Sequence, residues 1–300
     1  MTSSKQNIEL LHASSYAALS TDQFVKDLLF ALNKAPDIAT FTELGTRHPE
    51  FNSTCRDNGY EPVFATYGEG FAVKRDKNIK IKNKGSIKVS EGGQGYDAQY
   101  VSWVILDFYG FTVVHHVAHW LAHLQDGGGR AQKHQMMDKA VCQQVRKHGA
   151  GENVAFFAGD TNADKDDADA TRRATYKMFR DNDLLTIWDE FHVYPNTHTG
   201  SSQGNQGRTI DVIGSYNLDK KVVGKSYKAY PMQNSDHRPI GAVYTIDGAA
   251  VKQSKDKGGK NTGHKGKDFV TGGKVDWSDY ADTEVYDLPQ AIDDSDGSNH

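Results

Sequence analysis

Apolar residues along the chain fall into short runs separated by Gly, Pro, Asn and Asp, and their spacing alternates between two periods. Ile8–Ala13 reads as a short buried strand. Thr21 and Asp22 then open a helix, with Phe24, Val25, Leu28, Leu29 and Leu32 at helical spacing until Pro36 stops it. Ile38–Thr42 is the next strand and ends at Glu43. Strand patterns recur at Gly70–Lys74, Ile79–Lys82, Tyr100–Phe108 and Phe111–Val117, and the Tyr109-Gly110 step predicts a tight hairpin between the last two. A second helix is predicted over Arg130–His148 and a third over Thr171–Asn182. The buried run Val154–Ala158 leads into Gly159-Asp160, and further strands are predicted near Thr209–Ser215 and Gly241–Ile246. Strands interleaved with a few helices predict mixed sheets in an α/β or α+β arrangement.

This pattern runs without an internal linker to residue 247 and then stops. Between Gly248 and Val275 stand seven lysines and two aspartates, whereas Asp276–His300 holds eight acids and no Lys or Arg. Like-charge blocks with so few apolar residues predict a disordered, low-complexity tail over residues 248–300, behind one globular domain over 1–247. The Lys252–Lys274 block suits a polyanion and the acidic block would compete for it; a solubilising tail is the plainer reading. Val275-Asp-Trp277 and Tyr286–Leu288 are short runs able to dock. A formal net charge of −4 argues against a broadly basic nucleic-acid wrapper but leaves room for an enzyme that touches a few phosphates. No run nears the roughly 18 uninterrupted apolar residues that cross a bilayer, and Glu9 and His12 interrupt the only signal-like stretch, which no basic cluster precedes. Cys55 and Cys142 cannot build a disulfide framework and read as buried thiols, so a reducing, cytoplasmic compartment is expected.

The polar residues that matter stand where apolar strands end. Glu43 follows Asp37-Ile-Ala-Thr-Phe-Thr; His119 ends Phe111–His119; Asp160 and Asn162 follow the Val154 run; Asp236 and His237 precede the strand from Pro239 to Ile246. A carboxylate just past a buried run is held rigidly at the rim of a sheet, where catalytic groups are best placed. One acid at a strand end is usually the start of a solvated turn. Four polar strand ends point to chemistry.

Their local sequences carry a family resemblance. Gly159-Asp160-Thr161-Asn162 resembles the G-D-x-N signature of the endonuclease/exonuclease/phosphatase superfamily, and Ser235-Asp236-His237-Arg238-Pro239 resembles its closing S-D-H-x-P signature. Arg208-Thr209-Ile210-Asp211-Val212-Ile213 is similar to its R-I-D-x-I strand, and Pro36-Asp37-Ile38 through Glu43 to its P-D-[IV]…Q-E element, with Thr42 where Gln is usual. The motifs occur in the family order and cover Ile8–Ile246. The resemblance implies a four-layered α/β sandwich, two packed mixed sheets flanked by helices with the site at one end, and a metal-dependent phosphodiesterase that hydrolyses nucleic acid.

Roles carry over by matching position. Glu43 matches the main ligand of Mg²⁺ or Mn²⁺, with Asp236 beside it. Asp160 matches the acid that orients or deprotonates water, Asn162 the amide that steadies the phosphate or that acid, and His237 with Asp211 the His–Asp couple at the scissile phosphate. His119 matches a second phosphate-stabilising histidine of the deoxyribonuclease branch, and Glu69 is the candidate to support it. Ser14 stands where the family's first strand ends in Asn. His115 shares the His119 face by strand alternation, although satisfied core or surface roles suit His115 and His116 better. Trp120 and Trp188 are candidates to stack on bases, core packing being the plainer role. The expected partner is nucleic acid, DNA before RNA, with no membrane and no obligate protein partner. Three other readings stay open: a phosphatase of the same superfamily acting on phosphoinositides or small phosphoesters, a non-catalytic nucleic-acid-binding module on the same fold, and an unrelated α/β domain with chance motifs.

Overall fold

The computed structural model describes residues 5–66, 68–93, 96–124, 129–167, 169–198, 207–218 and 220–256. In chain order the elements are β1 (Lys5–Ser14), α1 (Thr21–Leu32), β2 (Ile38–Thr42), α2 (His48–Asp57), β3 (Tyr60–Phe64), β4 (Gly70–Lys74), β5 (Ile79–Ser90), β6 (Gln99–Phe108) and β7 (Phe111–His119). Then follow α3 (Arg130–Gly149), β8 (Val154–Asp160), α4 (Ala170–Asp181), β9 (Leu184–Thr186), α5 (Ile187–Phe191), β10 (Asp211–Tyr216), β11 (Val222–Ala229), β12 (Ile240–Asp247) and α6 (Gly248–Asp256). They form two six-stranded sheets, ordered β11-β12-β1-β2-β4-β3 and β5-β6-β7-β8-β10-β9. Each is mixed, with one parallel pair: β1 with β2 in the first sheet, β7 with β8 in the second. The sheets pack face to face with helices outside, which is the sandwich expected from the motifs.

Strand alternation sorts the side chains into layers. Along β1, Ile8 and Leu10 enter the core between the sheets, while Leu11 and Ala13 pack with Phe24, Leu28 and Leu32 of α1 and Phe51 of α2. β8 divides in the same way: Phe156 meets Tyr244 of the opposite sheet, and Phe157 meets Phe179 of α4. Because both faces of these central strands are covered, they read as continuous apolar runs. Helix α1 is closed at its start by a Ser20–Gln23 capping box. The hairpin between β6 and β7 turns on Tyr109 and Gly110, both at positive φ, the geometry of a two-residue type I′ turn.

Several elements extend or supplement the predicted ones. β5 runs on to Ser90, because Lys80, Lys82, Lys84 and Lys88 sit on an edge strand that shows the alternation of neither a buried sheet nor a helix. α2 escapes the pattern because its buried set is only Phe51, Thr54 and Cys55, and edge strands β3, β9 and β11 are short or mostly polar. The boundary expected at Gly248 falls at the start of α6, whose Val251 is buried, so folded chain continues nine residues into the charged segment. The runs at Val275–Trp277 and Tyr286–Leu288 lie outside the described residues. Trp120 and Trp188 are buried, donating to Asp138 and to the Asp211 carbonyl, so both are core residues and neither offers a face to a base. Cys55 and Cys142 are buried free thiols, and burial pushes the Cys55 thiol up to about 12. No described helix is long and apolar enough to cross a membrane.

Candidate active site

Sheet register assembles the second sheet's share of the site. His119 at the end of β7 pairs directly with Asp160 at the end of β8, and Asp160 with Asp211 at the start of β10. Three motifs that lie far apart in sequence therefore stand in a row across adjacent strands. Directly paired residues point to the same face of a sheet. The Val154–Asp160 run is buried throughout, and Gly159 is required because a Cβ there would lie 2.0 Å from the Ala118 carbonyl. That approach is what brings β8 against β7 at the rim.

The first sheet supplies the facing residues. Ser14 pairs with Thr42 across the parallel β1–β2 ladder, and the Thr42 hydroxyl donates to the Ser14 hydroxyl at 3.0 Å. Glu43, the next residue, adopts φ +59°, a conformation that an L side chain rarely holds. The turn aims its carboxylate over the rim: Oε2 accepts from the Ala17 N–H at 3.0 Å, while Oε1 lies 3.5 Å from His119 Nε2. Arg47 donates to the carbonyls of Glu43, Leu44 and Tyr16, pinning the turn from behind.

Asp160 is the central acid. Its Oδ1 accepts from the Asn162 N–H at 2.8 Å, and its Oδ2 lies 3.6 Å from both His119 Nε2 and His237 Nε2. Asn162 is also left-handed, at φ +49°, which Asn tolerates better than most residues. Its side-chain amide donates to the Trp120 carbonyl at 2.9 Å and lies 3.4 Å from His119 Nε2. His237 uses Nδ1 on Asp211 at 2.9 Å, leaving Nε2 toward Asp160. Burial alone would lower the His237 pKa, but Asp211, Asp160 and Asp236 outweigh it and raise it to about 10. Burial would likewise raise Asp211, yet the imidazoles of His237 and His12 hold it well below the usual carboxylate range. The couple is an ion pair at neutral pH.

The donors of the site fall into overlapping groups. The donor group around Glu43 consists of His119 and Asp160, with donor atoms all within 4.8 Å of one another. Asp236 belongs to a second group, with His198 and His237, and its Oδ2 lies 3.3 Å from His198 Nε2. A Thr197–Arg238 backbone bond and a bridge between His198 and His237 fasten its loop to the segment before β10. His198 was not singled out from sequence; the only signal is a histidine beside Thr197, whose hydroxyl accepts from the Ile210 and Asp211 N–H groups. Glu69 is buried, which raises its pKa, and its carboxylate takes the Thr66 hydroxyl while feeling the field of His119. His115 and His116 are buried in the body of the sheet: His115 lies between Phe71 and Phe156, and His116 bonds the Phe156 carbonyl and His148. Neither reaches the rim. The Glu43, Asp160 and His119 donors, two carboxylates and an imidazole, could hold a divalent metal ion.

No family model matches this sequence, and no curated protein is detectably similar to it. Solved structures do resemble it. D. rerio TDP2, in complex with a single-strand DNA product, superposes with a TM-score of 0.63 at 15% identity, over 79% of this chain and 98% of that one. The human Nocturnin catalytic domain with a bound sulfate anion gives 0.62 at 16% identity, over 80% and 93%. The Bacteroides thetaiotaomicron mannosyl-6-phosphatase gives 0.58 at 16% identity, over 78% and 98%. An endonuclease/exonuclease/phosphatase family protein of the same bacterium gives 0.62 at 15% identity, over 81% and 99%. The chain therefore has the fold of these proteins.

Proposed function

We propose that this protein is a metal-dependent phosphodiesterase of the endonuclease/exonuclease/phosphatase superfamily that hydrolyses nucleic acid, DNA before RNA. The observation that carries the reading is the row His119, Asp160 and Asp211 at one register, faced by Glu43 and His237 from the other sheet. Each belongs to a motif that resembles the family's, or to a strand end beside one.

A divalent ion held at Glu43, with Asp160 and Asp236 on the same rim, would supply Lewis-acid stabilisation of charge on the phosphoryl oxygens. Asp160 orients a water for in-line attack and takes up its proton; its Oδ1 is fixed by the Asn162 N–H, so Oδ2 is the working oxygen. His237, kept protonated by Asp211, presents Nε2 as a charged donor to the phosphate. The Asn162 amide and His119 supply further donors beside it. Asp211 keeps the His237 ring in one orientation.

Support for nucleic acid as substrate comes from the Lys252–Lys274 block and from the DNA product held by TDP2. The mannosyl-6-phosphatase of the same fold favours a phosphomonoester as the second reading. A panel of supercoiled plasmid, linear duplex, abasic duplex, RNA, inositol phosphates and mannose 6-phosphate, each with Mg²⁺ and with chelator, separates them. Plasmid nicking that needs Mg²⁺ and falls at least about 100-fold in Asp160→Asn and His237→Ala is the expected result. Phosphate release from the small esters with intact plasmid would transfer the assignment to the phosphatases. His237→Ala nicking at the parental rate would remove that residue from the mechanism.

A further inference from the structure

His12 stands in the middle of the molecule and has no part in the chemistry above. It is fully buried on β1, on the inward face that carries Ile8 and Leu10 into the core. A histidine among such residues needs partners for both ring nitrogens, since an unpaired polar group there is costly to bury. Nδ1 has one: it lies 3.1 Å from the hydroxyl of Thr40, its direct neighbour across the β1–β2 ladder. Nε2 has no hydrogen-bond partner within bonding distance. It lies 3.7 Å from Oδ1 of the buried Asp211 carboxylate, an oxygen that His237 Nδ1 also reaches at 3.1 Å.

We infer that His12 is a positioning residue: it carries its hydrogen on Nε2 and gives the Asp211 carboxylate a second imidazole donor, which holds the Asp211–His237 couple in register. A bare Nε2 would set a lone pair against a buried anion, so the hydrogen sits there and Nδ1 accepts from the Thr40 hydroxyl. The single Thr40 hydroxyl hydrogen has two acceptors in reach, the Leu11 carbonyl at 3.2 Å and His12 Nδ1 at 3.1 Å, and this tautomer requires that it go to Nδ1. The line Thr40–His12–Asp211–His237 then crosses the sandwich, from β2 and β1 of one sheet to β10 of the other and back to the loop before β12. Asp211 is anchored by its backbone as well, its N–H on Thr197 and its carbonyl under Trp188 Nε1. Among the described residues only the two imidazoles touch its carboxylate. Without His12 the carboxylate would keep one side-chain partner and could rotate about its terminal bond, taking the His237 ring with it.

The inference rests on the phosphodiesterase reading for its rate effect but not for its first test. In ¹⁵N-histidine-labelled wild-type protein, the His12 ring should show a protonated Nε2 and a bare Nδ1, without substrate or turnover. The opposite tautomer would overturn the inference. His12→Leu removes the donor, and His12→Gln keeps an amide donor at the reach of Nε2. Loss or displacement of the low-field His237 Nδ1–H resonance is expected in His12→Leu, together with a kcat lower by about 10- to 100-fold and a KM changed less than about threefold. His12→Gln should restore both the resonance and most of kcat. A His12→Leu protein with the parental resonance and kcat would overturn the proposal, and so would equal losses in Leu and Gln variants of equal thermal stability. Should neither variant fold, the tautomer in the wild-type protein decides. If Asp211→Asn also turns over at the parental rate, it is the phosphodiesterase reading that fails.

Discussion

Glu43 shows how a functional position is selected against local stability. A carboxylate at φ +59° is strained, and glycine alone adopts that backbone freely. Glu43→Gly should therefore be more stable than Glu43→Ala by about 1 kcal/mol in urea unfolding. Both should lose metal-dependent cleavage. An alanine variant as stable as the glycine one would mean that the turn is not strained. Asn162, also left-handed, belongs to the same class of residue: its conformation is what brings its N–H back to the Asp160 carboxylate. The residue types were visible in the motifs, but the conformations were not, because positive φ leaves no mark on a sequence unless the residue is glycine. His12 is the opposite case. Its interruption of an apolar strand was plain in the sequence, while its partner Asp211 stands 199 positions away and is brought to it only by sheet packing.

At the scale of elements, the second sheet and helix α3 share a set of histidines, with His115, His116 and His134 buried and His148 half-buried. His116 donates from Nδ1 to the Phe156 carbonyl at 2.8 Å, so its Nε2 must accept from His148 Nδ1 at 2.7 Å. Protonating His116 there would turn its acceptor Nε2 into a donor facing the His148 donor. Burial lowers the His116 pKa well below its ordinary value, and lowers His148 and His134 to about 4. A histidine with a depressed folded-state pKa contributes stability above its unfolded value near 6.5 and loses it as pH falls through the folded value. Asp138, raised by burial to about 7, acts in the opposite sense, since folding favours its protonated form in the same window. His115, lowered by burial to about 3, adds to the three histidines, and four groups against one in these elements give a net loss. The urea midpoint should fall steadily from pH 7 to pH 4, and His148→Gln should flatten that slope. An unchanged slope in the variant would separate the His116–His148 pair from the acid sensitivity. The helix and strand periods forecast both elements of this contact, but the pairing depends on how α3 lies on the sheet.

For the molecule as a whole, the charged segment raises a question of sign. Five lysines lie between Lys257 and Lys274, beyond the end of α6, and the eight acids follow. If the basic block assists the proposed nuclease, removing residues 276–300 should tighten binding to a short DNA duplex and steepen its dependence on salt. Removing 257–300 should weaken binding and flatten that dependence, since each neutralised phosphate contributes about 0.9 to the logarithmic slope. Hydrolysis of a small phosphodiester should be the same in all three proteins. Equal affinities and equal slopes would leave the tail a solubilising segment.

The sequence by itself determined the central strands, the main helices and the motif residues at their ends, because burial on both faces and helical spacing are written in local runs of side chains. It also determined the order of the motifs and, through their resemblance to a family, the sandwich in which they meet. Tertiary structure alone decided which donors meet: His119 and Asp160 with Glu43, His198 and His237 with Asp236, and Asp211 with Asp160 and His237 between the two. The physical reason is register. A strand's pattern states which face a residue takes, yet only the hydrogen-bonded ladder between strands and the packing of one sheet on another state what stands opposite.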